Sequence, residues 1–289
     1  MWILAASMSA LFAGLTAILA KLGVESTDSD VATAARTGVV LVLAWIVAAA
    51  SGSLTALAHI PASAWGFLIA SGFATGASWI CYFHALATGP VSAVTPIDKA
   101  STPLTVLLAL LLLGEGASPL KLAAVVVYLV GALLMIPRSD EGAAAAPVRL
   151  GAWLPWACGS ALFAALTSVL GKLGVESVPS DLATAIRTVV VAILAFAIVL
   201  GRGKSAGLRG IERREAGFLL ASGLATGASW LFFYRALQTG PASGVVPIDK
   251  LSILVSIVFA RIVLGERLDG RALAGLALIV AATLALAIL

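Results

Sequence analysis

Four residues set in an apolar stretch, Pro96-Ile97-Asp98-Lys99, return as Pro247-Ile248-Asp249-Lys250. Asp249 stands 151 positions after Asp98, and the same offset superposes Ser9–Ser26 on Ser160–Ser177, Arg36 on Arg187 and Gly114-Glu115 on Gly265-Glu266. The chain is one unit written twice, so its fold must be assembled from two similar halves. Functional residues are to be sought where both copies keep the same polar groups.

The residues between these markers decide the solvent. Of 289 residues, 61% are hydrophobic and 11% charged, whereas a soluble domain carries about 25% charged residues. The apolar residues fall in long blocks, and about 20 consecutive apolar residues cross a bilayer as a helix. The expected class is an all-α integral membrane protein. Ten spans are expected, at about 2–22, 31–50, 64–87, 91–113, 120–137, 152–173, 182–200, 215–238, 242–264 and 271–289. The repeats then occupy 1–137 and 152–289, with 138–151 as a linker that has no counterpart. The first apolar run lacks a basic n-region and is long for a signal peptide, so it is taken as a span. The net charge of +4 is assigned to topology rather than to nucleic acid, because no basic patch interleaved with aromatics is present. Cys81 and Cys158 stand at non-equivalent positions and are expected to be small core residues, not metal ligands or a disulfide.

Five helices per repeat is an odd number, so the second repeat must enter the membrane from the opposite face. That makes the chain an inverted-topology repeat, a plan associated with secondary transporters and with sites near the bilayer midplane. Gly72 and Gly76, with Gly223 and Gly227, place small residues where helices can approach closely, as do the Gly and Ala residues of helices five and ten. The loop between helices seven and eight holds Arg202, Lys204, Arg209, Arg213 and Arg214, while its counterpart 51–64 has no Lys or Arg. The positive-inside rule places the basic loop in the cytoplasm and both termini outside. Ser29-Asp30 and Ser180-Asp181 are candidate caps for helices two and seven.

Ser-Ala-Leu-Phe-Ala in helix one, Ala-Thr-Gly-Ala-Ser-Trp in helix three, Thr-Gly-Pro before helix four and Leu-Gly-Glu after it occur in this order in the chain. The duplicated unit resembles the EamA domain of the drug/metabolite transporter superfamily over nearly the whole chain. The Pro-Ile-Asp-Lys element resembles a subgroup that often occurs as a single five-helix unit. The resemblance implies a ten-helix carrier in a bacterial inner membrane, often a proton-linked exporter of amino acids or other small metabolites. It also implies cytoplasmic termini, against the loop charges.

Depth along the helices selects the candidate site. Arg36 and Asp98 each fall some 6–8 residues into their helices, about 9–12 Å at 1.5 Å per residue. Trp79 and Tyr82 approach the same level from the end of helix three. Asp98 and Lys99 point about 100° apart and are not expected to pair. An ionised Asp at that depth needs a partner; Arg36 for Asp98 and Arg187 for Asp249 are preferred, with Lys250 a second candidate for Asp98. The expected site is therefore Asp98, Lys99, Arg36, Trp79 and Tyr82 in one copy and Asp249, Lys250, Arg187, Trp230 and Tyr234 in the other. Asp98 or Asp249 would carry a proton, Lys99 and Lys250 would attract an anionic group, Trp79 and Trp230 would wall the cavity, and helices broken at Pro96 and Pro247 would free carbonyls to line it. The structural alternatives are snorkelling for Arg36, Arg187, Lys21 and Lys172, an interfacial belt for the tryptophans, a cap for Glu115 and Glu266, and a helix-joining ion pair for the aspartates. His84 gives way to Arg235 in the second copy and is expected to be a boundary residue.

The function expected is secondary active transport of a small-molecule substrate by alternating access, with protons as partner, no cofactor, and one chain sufficing. A lipid-headgroup flippase and a facilitative exchanger are the alternatives, and a structural membrane subunit has no need of duplicated buried charges. An enzyme would need a nucleophile–base or metal set, and two histidines with no His-Glu-x-x-His leave little room for one. A channel would need a selectivity-filter run that the loops lack.

Overall fold

The computed structural model describes residues 1–23, 26–88, 94, 97–135, 153–263 and 270–289. The expected linker 138–151, together with Pro96, Arg138, Arg149, Glu266 and Arg267 and the side chain of Lys21, lies outside the described residues. All regular structure among the described residues is helical: α1 (Trp2–Gly23), α2 (Ser29–Ala50), α3 (Ala62–Thr88), α4 (Ser101–Leu112), α5 (Pro119–Leu134), α6 (Trp153–Val175), α7 (Ser180–Gly201), α8 (Arg213–Thr239), α9 (Ala242–Lys250), α10 (Ser252–Val263) and α11 (Gly270–Ile288). Eight described segments are long and apolar enough to cross a membrane, and Pro119–Leu134 is a shorter apolar helix.

Local chemistry sets the ends. Asp28 caps α2 through the Asp30 amide at 2.9 Å, one residue before the expected cap. Pro179 precedes α7 without a side-chain cap, and Asp181 is engaged elsewhere. Ser118 caps α5 ahead of Pro119. Gly52 and Gly203, again 151 apart, take φ of 74° and 68°. These left-handed turns end α2 and α7 and lead into short 3-10 helices at Ser53–His59 and Ser205–Leu208.

Pro247 lies inside α9, and the interruption comes four residues later, at Leu251, whose amide reaches back to the Ile248 carbonyl at 3.0 Å. The first copy breaks at the equivalent Ala100, whose amide meets the Ile97 carbonyl at 3.1 Å. The expected break at Pro247 is thus displaced by one turn: α9 continues through the proline, and an i−3 bond tightens the backbone just beyond Asp249 and Lys250.

The chain condenses into two compact units that cut across the sequence repeats. The first comprises Met1–Phe73, Leu170–Gly240 and Ile248–Gly265, and the second Ala74–Val169, Pro241–Pro247 and Glu266–Leu289. In the first unit α1 lies along α8 and α10, and α2 lies between α7 and α8. A Cβ on Gly223 would stand 2.6 Å from Val39 Cβ, and one on Gly72 would stand 2.7 Å from Val190 Cβ, so the same glycine–valine crossing occurs in both copies. In the second unit α5 packs on α11, where a Cβ on Gly131 would stand 2.7 Å from the Gly275 carbonyl oxygen, as expected for small residues on helices five and ten. Val106, Val125 and Leu286 fill the space beside that contact.

Candidate functional site

Two polar seams run through otherwise apolar helix contacts. In the first unit Ser9 on α1 donates to Asp249 Oδ1 at 2.5 Å, and its Oγ lies 3.2 Å from Ser229 Oγ on α8. Two turns along, Thr16 and Thr226 meet at 3.2 Å. In the second unit Ser160 on α6 donates to Asp98 Oδ1 at 3.1 Å and lies 3.4 Å from Ser78 Oγ on α3, while Thr75 and Thr167 meet at 3.2 Å. Each residue of one seam is the 151-position counterpart of a residue of the other. Ser9 and Ser160 are fully buried. Helix one of each repeat thus supplies the hydroxyl that holds the carboxylate of the other repeat.

This arrangement corrects the expected pairing. Asp98 is held by Ser160, and Arg36, half-buried on α2, makes no side-chain hydrogen bond or ion pair among the described residues. Asp249 is held by Ser9, and Arg187 turns to other groups. Lys250 Nζ approaches its neighbour Asp249 at 3.9 Å, contrary to expectation, although that is too long for a hydrogen bond. Lys99 and Lys250 are exposed beside their half-buried aspartates.

Arg187 does not snorkel, for it is only 3% exposed. Its Nε donates to Ser71 Oγ at 3.0 Å, and its guanidinium carbon lies 5.0 Å from the ring centroids of both Trp230 and Tyr234. Trp230 and Tyr234 are four residues apart on α8 and so share a face. Two aromatic faces and a hydroxyl make a buried guanidinium tolerable. The structure therefore unites three of the expected residues with Ser71, which sequence reasoning passed over. In the first copy Phe83 stands where Tyr234 stands in the second. Trp79 is half-buried, and Tyr82 packs against Ala85, Val94, Trp153 and Ala157.

The remaining charges close helix ends. Glu115 accepts from the Ala242 and Ser243 amides at 2.5 and 2.9 Å and caps α9, as its structural alternative anticipated. Lys172 caps the end of α8 by donating to the Leu237 and Gly240 carbonyls at 2.7 and 3.1 Å, instead of snorkelling. Glu215 accepts from the Ser26 amide at 2.7 Å and from the Thr27 hydroxyl. His84 is exposed with its ring 4.2 Å from that of Trp156. Cys81 is buried, but Cys158 is exposed on α6, so only one of the two is a core residue.

The two ends of the α2–α7 pair differ in kind. At one, Asp30 accepts from Arg202 at 2.9 Å and from Lys204 at 2.6 Å, and Asp28 accepts from Lys204 at 2.7 Å. The Lys204 hydrogen bond holds the Asp28 carboxyl below its ordinary range, and Asp28 and then Asp30 raise the Lys204 ammonium. At the other end Asp181, the counterpart of Asp30, is held by hydroxyls, Ser51 and, at 2.8 Å, Ser53. Ser51 and Ser53 are the counterparts of Arg202 and Lys204. Among the described residues no three His, Cys, Asp or Glu side chains converge as a metal site requires.

Comparison with known proteins accords with this duplicated plan. The model of the EamA-like transporter family matches twice, over residues 1–136 and 151–288. An uncharacterized transporter in the cobO 3′ region of Sinorhizobium sp. is 48% identical over 136 residues, which cover 96% of that protein and 47% of this chain. A crystal structure superposes with a TM-score of 0.78 at 18% identity, covering 98% of this chain and 95% of its own, a likeness of fold alone. With both halves of the chain matched by one family and its apolar helices suited to a bilayer, the protein belongs to the EamA-like transporter family and is a multi-pass membrane transporter of the drug/metabolite transporter superfamily.

Proposed function

We propose that this transporter is a proton-coupled secondary carrier that exports a small polar metabolite, an amino acid or an organic anion, by alternating access through ten helices arranged as an inverted repeat. Its place is the bacterial inner membrane, and a single chain is the working unit. The observation that carries the reading is the hydroxyl-held aspartate found twice, Ser160 with Asp98 and Ser9 with Asp249. A carboxylate locked to a buried arginine resists protonation, because protonation strands the base. A carboxylate held by a serine hydroxyl is free of that penalty: on taking a proton it becomes a donor, and the hydroxyl rotates to accept. Asp98 and Asp249 are therefore suited to load and release a proton in each cycle.

Exposed Lys99 and Lys250 beside the aspartates favour a zwitterion or an anion over a bare cation. The recurrence of every seam contact at one offset supports the two-fold plan, and the resemblance supports export. The test is proton flux in liposomes that hold the purified chain and an interior pH dye, screened with amino acids, organic acids, sugar phosphates and cations. Substrate-dependent flux that is lost in Asp98→Asn or Asp249→Asn is expected. Flux unchanged in both variants sinks the coupling role, and quaternary cations as best substrates sink the substrate class.

A further inference from the structure

The hydroxyl-held end of the α2–α7 pair opens onto a groove of about 590 Å³ in the first unit. Its depth can be read from helix register. Gly223 packs under Val39 and Gly227 under Leu43, so α2 and α8 run parallel there and Arg235 comes level with Ser51. Leu43, Val47, Leu231 and Phe232 line the groove below that level. From Ser51 to Leu43 is about 12 Å along a helix at 1.5 Å per residue. The groove is thus polar at its mouth, where Ser51, Ser53, Asp181 and Arg235 stand, and apolar for about two turns inward. The mouth coincides with the ends of spans Ser29–Ala50 and Ser180–Gly201, where lipid headgroups lie.

We propose that this groove binds one zwitterionic phospholipid with a primary ammonium headgroup, a phosphatidylethanolamine, as an ordered ligand. The apolar walls take an acyl chain. Arg235, exposed and without a side-chain hydrogen bond or ion pair among the described residues, meets the phosphodiester. Asp181 takes the ammonium. Ser51, Ser53 and amides at the start of α7 face its carboxylate, but no base neutralises it among the described residues, and a primary ammonium supplies that charge. A choline headgroup has no N–H to give. An anionic lipid would satisfy Arg235 but face Asp181, and a lipophilic cation would do the reverse. The counterpart acid Asp30 is already neutralised by Arg202 and Lys204, so the repeat-equivalent end has no such vacancy for an ammonium.

The test is native mass spectrometry of the purified full-length chain in detergent with equal amounts of phosphatidylethanolamine, phosphatidylcholine and phosphatidylglycerol of one acyl composition. The expected result is an ethanolamine-lipid adduct favoured about tenfold over both others, a difference typical of one charge-assisted contact. Asp181→Asn removes most of that preference, Arg235→Gln lowers retention of all three lipids several-fold because each carries the phosphodiester, and Asp30→Asn leaves both quantities unchanged. Since Asp181 also ties Ser51 and Ser53, thermal unfolding is recorded beside binding. If Asp181→Asn does not fold, the wild-type lipid ratio and the retention by Arg235→Gln decide. Equal retention of the three lipids by the wild type, preference for phosphatidylglycerol, an undiminished ethanolamine preference in a folded Asp181→Asn, or undiminished lipid retention in Arg235→Gln would overturn the proposal. Lipid retention is measured without transport, so its outcome is separate from that of the proton-flux assay.

Discussion

Replacing Gly223 by Ala places one methyl group where two helices nearly touch. The new Cβ would lie 2.6 Å from Val39 Cβ, 2.8 Å from Val39 Cγ1 and 3.1 Å from the Arg36 carbonyl oxygen. Carbon atoms pack comfortably at about 3.5–4.0 Å, so α2 and α8 must part by roughly 1 Å. Overpacking of this kind costs about 1–3 kcal/mol. Removing a helical glycine returns about 0.5–1 kcal/mol, leaving a net loss of about 0.5–2 kcal/mol. At roughly 2–4 °C per kcal/mol for a chain of this order, the midpoint of unfolding should fall by about 1–8 °C. Gly227, one turn along the same face, is the internal control. There the Cβ meets chiefly the end of a flexible side chain, Leu43 Cδ2 at 2.7 Å, with Cγ at 3.6 Å. Leu43 can rotate aside, so Gly227→Ala should leave the midpoint unchanged or raise it slightly. Gly72→Ala, facing Val190 at 2.7 Å and the Arg187 carbonyl at 3.2 Å, should match Gly223→Ala. The assay is thermal unfolding in detergent followed by tryptophan fluorescence. Equal midpoints for Gly223→Ala and Gly227→Ala would refute the packing argument, and an unaffected Gly72→Ala would refute the equivalence of the two crossings.

Lys204→Gln removes the base shared by Asp28 and Asp30. The Asp28 carboxyl is depressed, so its contribution is present above its unfolded value and is lost as pH falls through the folded one. The Lys204 ammonium is raised, so its contribution is present below its unfolded value and is lost as pH rises through the folded one. The stability gap between wild type and variant should accordingly be widest near neutral pH, shrink toward strong acid and strong base, and narrow with salt; a gap that does not vary with pH would contradict this. Glu115→Ala strips two amides at the start of α9 of their acceptor and should lower stability by about 0.5–2 kcal/mol in the same unfolding assay. Ser9→Ala and Ser160→Ala should each slow substrate-driven proton flux several-fold while leaving the chain folded, and wild-type flux in both would remove the hydroxyls from the coupling site.

The spans were legible because apolar blocks in this chain are long and are separated by turn residues: α2, α7 and α8 begin within two residues of expectation. The partners of the charges were not legible. Depth along a helix matched Arg36 to Asp98 and Arg187 to Asp249 within one copy, but periodicity carries no information about which helix of the other copy lies alongside. Helix one of each repeat packs against helix three of the other, and that exchange brings Ser9 to Asp249 and Ser160 to Asp98. The serines could have been found by the criterion already in hand, since Ser9, Ser78, Ser160 and Ser229 are polar groups kept in both copies. Arg202 and Lys204 were seen only as loop charge because Asp28 and Asp30 lie more than 170 positions away. Ser71 was missed because its role depends on Arg187, a residue of the other repeat.

The unlike ends of the α2–α7 pair bear on descent. Where two identical chains meet across a two-fold axis, a mutation at one end of a shared helix contact appears at the other end as well, and neither can change alone. The Sinorhizobium protein matches this chain over nearly all of its own length but only about half of this one. Joining two such units in tandem breaks that obligation. Arg202 and Lys204 could then be selected on one side of the membrane while Ser51 and Ser53 stood on the other. A contact that two identical chains would share symmetrically thus has a polarity in this chain, with bases at one end and hydroxyls at the other.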